Sequence, residues 1–586
     1  MRRLKILLVG ISLIATTFFA VSQVRKIHGD GRSVFSSTKA TSLKVASFVS
    51  PHHLVAEKII EDIFSKVADK NKDSSIERVI LVSPNHFNLG TGWAITSNAD
   101  WQTNQGVVLG DKDFVNALSK TGLVHLEDKA FQKEHGIENL LPYVKKYFPQ
   151  ALVAPLMVRD EFPEEKVGEL AEILAKNSDE KTLFILSADF SHYLEKNISQ
   201  LHNEKSIDVL SALDFKQASR LDIDCVPGLQ LLMKFSDIMG YENFTPKKSS
   251  NSSEILGKNF LGENTSYVTG YYEKGQKKAL ENLSLMFFGD LMLDRDVRTL
   301  MERKSPNFIT EKIQRLFWSQ DLNVANLEGP ITQNTSVSVG TKVEEKNHLI
   351  FTFDPKESIQ FIAHTGIDIV SIGNNHILNF KKEGLENTER VLTENNIGYF
   401  GSPVDGNSYL IKNINNKKVA FVDYNQFSNI NSQATADIIR EVKNKSDLVV
   451  VYAHWGTEYE LNKIESQKER AHQFIDAGAD IIIGSHPHVV EPLEIYKNKI
   501  IFYSLGNFVF DQYFSEDTKT MLAAGISIQN DLQKIVLEPL YQERTGQIVL
   551  APEEKRNALL ERLANDSEVD YNMKQGIRAG YITIKQ

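Results

Sequence analysis

The order of apolar and polar positions predicts two successive blocks of α/β structure. From Leu43 onward, short runs rich in Val, Ile and Leu alternate with stretches in which apolar residues recur at helical spacing. This rhythm is typical of mostly parallel sheets covered by helices. In the first block it predicts strands over 78–82, 151–158, 182–187 and 265–272, and helices over 54–68 and 164–176.

The same rhythm begins again at Leu283, after a polar and charged stretch. Strands are predicted over 283–288, 367–372, 418–422, 447–452, 480–483 and 500–503, helices over 383–394, 466–477 and 552–564, and a last strand over 580–584. We therefore predict a first domain over 43–273, a linker over 274–282 and a second domain over 283–586.

The first residues predict export. A basic start, Met1 to Lys5, precedes an uncharged apolar run over 6–21, which is typical of a signal peptide or a short N-terminal membrane anchor. Residues 1–23 are assigned to this element and residues 24–42 to a polar spacer; whether the start is cleaved or retained stays open. The expected location is extracytoplasmic, either secreted or attached to the membrane through the N-terminus.

Composition narrows the class of protein. Of 586 residues, 41% are hydrophobic and 24% are charged, as in ordinary globular proteins. The 66 Lys and Arg residues against 76 Asp and Glu residues give a net charge of -10, and without a basic cluster nucleic acid is excluded as a partner. The single cysteine, Cys225, rules out an intrachain disulfide and a CxxC metal site.

In the second block, polar side chains follow six predicted strands. Since the carboxyl ends of parallel strands lie along one edge of a sheet, these side chains should converge in one crevice. Carboxylate, imidazole and amide groups together are the ligand set of a hydrolytic metal site. One such residue alone would more often be a turn or cap residue, but six strand ends favour a site. The segments are Gly289-Asp290, Asn326-Leu327-Glu328, Gly373-Asn374-Asn375-His376, His454-Trp455-Gly456, His486-Pro487-His488 and Ser504-Leu505-Gly506-Asn507-Phe508.

These segments resemble the CapA family of capsule and poly-gamma-glutamate synthesis proteins, which is related to calcineurin-like metallophosphoesterases. The resemblance implies a four-layer α/β/β/α sandwich with a two-metal centre for Mn, Fe or Zn. It implies catalytic roles for Asp290, Glu328 and His376, with Glu328 bridging the ions and His376 acting as the acid near the leaving group. The implied metal ligands are Asp290, Glu328, Asn375, His454, His486 and His488.

Two positions depart from the related pattern. Met292 stands where a metallophosphoesterase usually has a His, which predicts weak binding of one metal. Asn379 stands where the family usually has an Asp after the Asn-His pair, which leaves the orientation of His376 open.

The first block carries its own imidazole, carboxylate and thiol groups beside predicted strand ends. A His, His and Cys set suits iron, copper or zinc by ligand softness. The alternative is that each His is a capped or solvated loop residue and that Cys225 is a small buried apolar residue. The segments are Pro51-His52-His53, Asn85-His86, Glu134-His135-Gly136-Ile137-Glu138, Ser187-Ala188-Asp189-Phe190-Ser191-His192 and Asp222-Ile223-Asp224-Cys225.

This block resembles the Memo family (AmmeMemoRadiSam system protein B), which is close in fold to class III extradiol dioxygenases. The resemblance implies one iron, copper or zinc ion held by His52, His86 and Cys225. It also implies a cleft lined by His135, Asp189 and His192. The residues after His52 depart from the family pattern, so the choice between His52 and His53 stays open.

These features predict an exported, metal-dependent envelope protein. The favoured activity is two-metal hydrolysis of a phosphoester or amide in the synthesis or processing of a capsule or poly-gamma-glutamate type polymer. One alternative is a non-catalytic, surface-anchored protein that binds or assembles the polymer. The other is a metal-dependent oxidoreductase that acts through the Memo-like domain.

Overall fold

The computed structural model describes residues 42–258, 264–403 and 408–585. The predicted signal segment over 1–23 and nearly all of the spacer over 24–42 lie outside these ranges. Among the described residues, none of the helices has the length and apolar character needed to span a bilayer.

The first half contains ten strands and nine α-helices among its described residues. Its strands are β1 (Val45–Ser50), β2 (Arg78–Pro84), β3 (Ala94–Thr96), β4 (Trp101–Thr103), β5 (Gly106–Val108), β6 (Val124–Leu126), β7 (Leu152–Val158), β8 (Thr182–Ser187), β9 (Asn243–Asn251) and β10 (Ser266–Glu273). Its helices are α1 (Glu57–Lys70), α2 (Lys112–Ser119), α3 (His135–Glu138), α4 (Leu141–Tyr147), α5 (Glu164–Lys176), α6 (Lys196–Ala212), α7 (Phe215–Ala218), α8 (Val226–Ile238) and α9 (Ser252–Leu256).

Eight of these strands form one sheet in the order β6-β3-β7-β2-β8-β1-β10-β9. The strands β7, β2, β8 and β1 are parallel. Along β2, Ile80 and Val82 belong to the apolar cluster on one face, and Val79 and Leu81 belong to the cluster on the other. Both faces are therefore buried under helices, which explains why these strands are apolar throughout.

The second half contains fifteen strands and eight α-helices within the described ranges. Its strands are β11 (Leu283–Leu291), β12 (Leu322–Leu327), β13 (Ile369–Ser371), β14 (Gly398–Phe400), β15 (Tyr409–Ile414), β16 (Lys417–Asn425), β17 (Leu448–His454), β18 (Ile481–Ser485), β19 (Leu493–Tyr496), β20 (Lys499–Phe502), β21 (Asn507–Val509), β22 (Thr520–Gln529), β23 (Leu532–Gln542), β24 (Ile548–Leu550) and β25 (Tyr581–Lys585). Its helices are α10 (Arg295–Arg303), α11 (Pro355–Thr365), α12 (Lys381–Glu394), α13 (Ser432–Lys443), α14 (Glu465–Ala477), α15 (Glu516–Lys519), α16 (Glu553–Asp566) and α17 (Tyr571–Arg578).

Two sheets face each other in this half. A nine-stranded sheet contains the path β14-β13-β12-β11-β22-β23-β24, and a six-stranded sheet has the order β15-β16-β17-β18-β20-β19. Phe287 of β11 shares an apolar cluster with Phe421 of β16, whereas Met286 and Val451 belong to separate clusters with helices on the two outer faces. The predicted four-layer α/β/β/α sandwich and the α/β class of both halves are confirmed.

One part of the second half differs from the expected parallel arrangement. β22 is antiparallel to β11, and β23 is antiparallel to β22. This pair extends the nine-stranded sheet and had no counterpart in the strand predictions. The run from Thr520 to Gln529 is buried on both faces, so it lacks the period-two alternation that would have marked an antiparallel strand.

The predicted linker is exposed over 274–279, but the two halves pack against each other elsewhere. Leu201 of α6 belongs to an apolar cluster of the second half. Lys205 Nζ lies 2.5 Å from Asp321 Oδ1, and both side chains are buried. The described residues from 42 to 585 belong to one compact unit. The boundary near 276, as a division between independent domains, stays a prediction.

Candidate metal centres

The second half brings its polar strand ends together where its two sheets meet. Asp290 belongs to β11, Glu328 directly follows β12, His454 ends β17 and His486 directly follows β18. Close approach of β11 to the segment before β21 requires a glycine, because a Cβ atom on Gly289 would lie 1.8 Å from the Gly506 carbonyl oxygen.

Two groups of possible metal donors result. The first contains Asp290, Glu328 and His454, all buried, and the second contains Glu458, His486 and His488; within each group the donor atoms lie within 4.8 Å of one another. His488 joins the groups, since its Nδ1 atom is 3.3 Å from Asp290 Oδ2 and its Nε2 atom is 3.7 Å from Glu328 Oε1.

The remaining predicted ligand, Asn375, contacts the same place. Its Oδ1 atom lies 2.9 Å from His454 Nε2. All six ligand candidates of the second half therefore converge, as the strand-end pattern predicted, although ligation itself stays a prediction.

The backbone around Pro487 is strained. His486 and His488 have φ values of 95° and 60°, in the left-handed region that favours glycine. The His486 N–H donates a 3.0 Å hydrogen bond to Asp290 Oδ2. Strain of this kind persists only when the surroundings hold it, and it concentrates at functional sites.

Burial and neighbouring charges together set the charge states in the candidate metal centre of the second half. Burial and then the neighbouring charge of Asp290 raise the pKa of Glu328 well above its usual value. For Asp290, burial acts upward, but the close approach and charge of His488 outweigh it and lower the pKa to about 2. Burial and the adjacent His488 lower the pKa of His486 to about 3, so this imidazole is neutral near pH 7.

The donor set fits a divalent cation. Glu328 Oε1 and His486 Nδ1 are buried and have no hydrogen-bond partner among the described residues. An unpaired buried polar atom is costly, and a metal ion would satisfy both. Neutral imidazole is also the form that binds a metal.

His376 lies beside this centre. Its ring packs on Phe351, with 4.3 Å between ring centroids, and its Nε2 atom is 4.0 Å from Glu328 Oε1. Burial lowers its pKa to about 4. Its Nδ1 atom is 3.2 Å from Oδ1 of Asn379, so an amide orients this ring where the family usually has a carboxylate.

Met292, the other departure, belongs to the apolar core. Its side chain is fully buried, and its Sδ atom accepts a hydrogen bond of 3.0 Å from the Asp294 N–H.

Several residues of the centre were not singled out by sequence reasoning. Asn326 Nδ2 donates to Asp290 Oδ1 at 2.8 Å, and Asn326 Oδ1 accepts from Asn374 Nδ2 at 3.1 Å. Asn507 Oδ1 is 3.0 Å from His488 Nδ1. All three stood within the quoted motifs, but only the folded chain shows that they orient ligands. Glu458, an exposed member of the second donor group, had no sequence signal.

A cavity of about 460 Å³ opens at this centre. His376 and His488 lie in its wall, together with Arg295, Tyr459 and Phe510. A ligand of small-molecule size or the end of a polymer could therefore reach both His side chains.

The first half forms a separate cluster at the carboxyl ends of its parallel strands. His52, His86 and His135 are one possible donor group, and His52, Asp189 and Asp224 are another. His52 Nε2 is 3.4 Å from both Asp189 Oδ2 and Asp224 Oδ2. Asp224 Oδ1 is buried without a hydrogen-bond partner among the described residues, which again fits a cation.

Neighbouring carboxylates shift the pKa values of this cluster. For His86, burial acts downward, but the Asp224 carboxylate 3.9 Å from Nε2 and the 2.6 Å hydrogen bond between Nδ1 and Glu134 outweigh it and raise the pKa to about 9. Burial and the charge of Asp224 raise the pKa of Asp189 to about 7. A metal ion would have to displace the His86 proton in order to bind this side chain.

The structure separates His52 from His53. His53 Nδ1 contacts Tyr267 Oη at 2.8 Å, outside the donor groups, whereas His52 belongs to both of them. His192 belongs to neither donor group of the described residues; burial lowers its pKa, while the charges of Asp224 and Asp189 act upward.

Cys225 was predicted as a metal ligand, and the structure does not place it in these groups. Among the described residues, Asp224 and not Cys225 joins His52 and Asp189. Cys225 is fully buried and belongs to an apolar cluster. Burial, and then the charge of Asp224, raises the pKa of its thiol well above the usual value.

Comparison with known families follows the two halves. Residues 284–512 match the family described as "Bacterial capsule synthesis protein PGA_cap", and residues 31–225 match the family described as "Memo-like protein". Both resemblances drawn from the sequence are confirmed: this chain is a fusion of a Memo-like part and a CapA-like part.

Two sequence relatives agree with this division. The PGA biosynthesis protein CapA of Bacillus subtilis is 29% identical over 313 residues, which is 50% of this chain and 81% of that protein. A MEMO1 family protein of Pyrobaculum aerophilum is 28% identical over 223 residues, which is 36% of this chain and 77% of that protein. A solved structure of an uncharacterized Escherichia coli K12 protein covers 39% of this chain and 100% of its own, with 13% identity and a TM-score of 0.28.

Proposed function

We propose that the second half is a metal-dependent hydrolase that cleaves a phosphoester or amide during the synthesis or processing of a capsule-type polymer. The observation that carries this proposal is the pair of unpartnered buried atoms, Glu328 Oε1 and His486 Nδ1, within two adjoining donor groups of the described chain. The similarity to capsule and poly-gamma-glutamate proteins supports the polymer class.

In this proposal Asp290, Glu328, Asn375, His454, His486 and His488 would hold two divalent ions. Such ions acidify a bound water and neutralise developing charge on a substrate oxygen. Asn326 keeps the Asp290 carboxylate in place through a hydrogen bond. His376, with Nδ1 beside Asn379, presents Nε2 toward Glu328. Because its pKa of about 4 leaves Nε2 without a proton near pH 7, His376 would take a proton from the attacking water and pass it to the leaving group.

The experiment combines metal analysis of the purified chain with a screen of phosphoesters and gamma-glutamyl peptides. We expect metal-dependent turnover that Asp290→Asn abolishes. Asp476→Asn, which alters an exposed carboxylate paired with Lys497, is the matched control and should keep full activity. Bound metal without turnover of any substrate would favour the polymer-binding alternative, and no bound metal would reject the site.

For the first half we propose a single iron, copper or zinc ion held by His52 and His86 with a nearby carboxylate. The support is the donor cluster around His52 and the unpartnered oxygen of Asp224 within the described residues. This part would act as a redox or binding partner of the hydrolase. Elemental analysis of a His52→Ala variant should show loss of one ion, with the metal of the second half retained.

We also propose that the protein works outside the cytoplasm, attached to the membrane or secreted. The support is the basic and apolar start over 1–23. An alkaline phosphatase fused after residue 42 should be active in cells, and deletion of residues 2–23 should remove that activity.

A further inference from the structure

The second half contributes residues to the candidate metal cleft of the first half. A cavity of about 590 Å³ is lined by His86, Asp160 and Asp224 of the first half and by Arg315 and Trp318 of the second. Arg315 lies on the 3-10 helix Glu311–Phe317, and Trp318 follows it directly. The cavity therefore has a wall that the Memo-like part by itself does not possess.

Arg315 makes a close contact with the strand end that carries Asp224. Its Nη1 atom donates to Asp222 Oδ1 at 2.5 Å, and the Asp222 side chain is fully buried. The Arg315 guanidinium also packs over the Trp318 ring, 4.9 Å from the centroid. Arg315 is thus fixed between an aromatic ring and a carboxylate.

The backbone makes a second connection across the same interface. The Asp222 N–H donates to Ser319 Oγ at 2.8 Å, and the Ser319 N–H donates to the Arg220 carbonyl at 2.7 Å. Ser319 has a φ of 55°, a left-handed conformation that costs energy. Such a conformation persists only where the surroundings hold it, and here the two hydrogen bonds do so.

From Asp222 the chain leads directly to the candidate ligand. Asp224 donates its N–H to the Asp189 carbonyl at 3.1 Å, and Asp224 Oδ2 accepts from the Asp189 N–H at 3.1 Å. The segment 222–224 is therefore held by its own half at Asp189 and by the second half at Arg315 and Ser319. The position of this segment sets the distance of 3.4 Å between Asp224 Oδ2 and His52 Nε2.

We infer that Arg315 is a positioning residue for the metal cleft of the first half. Through Asp222 it fixes the segment 222–224, and with Trp318 it closes one wall of the cavity. The fusion of the two parts then makes metal binding in the Memo-like half depend on the CapA-like half. This inference uses the metal site proposed above for the first half and is independent of any hydrolase activity.

The test measures Zn²⁺ binding by the full chain in an Asp290→Asn/His486→Ala/His488→Ala background, which removes donors from both groups of the second half, so that binding at the first half is read alone. Arg315→Met should weaken Zn²⁺ binding by roughly tenfold to 100-fold, the range for residues that orient metal ligands. Arg315→Lys, which keeps the charge but loses the forked geometry, should give a smaller loss. Lys534→Met is the control, because Lys534 pairs with Glu204 across the same interface and does not line this cavity.

Hydrogen exchange over residues 221–225 gives a readout that does not need metal. Arg315→Met should speed exchange there, and Lys534→Met should not. Unchanged exchange, or equal effects of the two variants, would overturn the inference. If the background protein binds no Zn²⁺, the proposed metal site fails, and the exchange result still decides whether Arg315 positions the segment. If Arg315→Met does not fold, Zn²⁺ binding and hydrogen exchange are both measured on Arg315→Lys.

Discussion

Oδ1 of Asn379 lies 3.2 Å from Nδ1 of His376 and also accepts a hydrogen bond of 2.8 Å from the Phe351 N–H. Asn379 therefore orients the imidazole with an uncharged group. A carboxylate at this position would both orient the ring and favour its charged form.

Asn379→Asp should raise the pKa of His376, which burial holds at about 4. A negative charge at hydrogen-bond distance should raise this pKa by roughly one to two pH units. Titration of the His376 ring protons by NMR measures the change. Asn395→Asp adds the same charge at the exposed end of α12 and should leave the His376 pKa unaltered; an equal rise in both variants would contradict this account.

His486→Ala/His488→Ala should remove roughly one equivalent or more of metal from the second half, because both side chains belong to its donor groups. The metal of the first half should stay. Elemental analysis after dialysis measures both. His472→Ala is the control, since His472 contacts Glu494 and Tyr496 away from the centre. Unchanged stoichiometry in the double variant would reject the two-metal site.

Asp224→Asn should weaken metal binding in the first half more than Cys225→Ser does. The Asp224 carboxylate lies 3.4 Å from His52. Burial raises the pKa of the Cys225 thiol and so disfavours the thiolate, which is the form that binds a metal. Metal titration of the two variants compares them, and thiol labelling with and without a chelator reports on Cys225 directly. A larger loss in Cys225→Ser, with labelling that needs the chelator, would restore the sulfur ligand expected from the sequence.

Limited trypsin digestion should cut within 274–279, which is exposed and contains Lys274, Lys277 and Lys278. The two fragments should nevertheless elute together in size exclusion chromatography. The buried Lys205–Asp321 ion pair and the apolar contacts of Leu201 hold them. Separate elution of two folded fragments would show that the halves are independent domains.

Glu491→Gln should stabilise the protein more at pH 8.5 than at pH 5. Burial raises the pKa of Glu491 from 4.5 to about 8. The wild type then loses stability as pH rises from 4.5 through 8, because the folded state retains a proton that the unfolded state releases. The variant lacks this loss, which a shift from 4.5 to about 8 makes roughly 5 kcal/mol at about 1.4 kcal/mol per unit of pKa. Thermal unfolding in EDTA at both pH values measures the difference, with exposed Glu460→Gln as the control. An equal stabilisation by Glu491→Gln at both pH values would contradict the raised pKa of Glu491.

Local sequence patterns determined much of this protein. The prediction of strands over 182–187 and of a helix over 164–176 matches the structure residue for residue, because both depend on the periodicity of neighbouring apolar side chains. The proximity of Asp290 to Glu328, and of His454 to His486, was also predictable, because parallel strands of one sheet place their carboxyl ends on one edge. Only the tertiary structure brings the edges of the two sheets together. The paired β22 and β23 were not predictable, since burial on both faces removes the alternation that marks an antiparallel strand.

Only the tertiary structure decided which residue reaches which partner. The sequence left His52 and His53 equivalent, and the fold places one beside Asp224 and the other beside Tyr267. It also brought Arg315 of one half to Asp222 of the other, 93 positions apart along the chain. Contacts of this kind depend on how the two halves pack against each other, and no periodicity within either segment records that geometry.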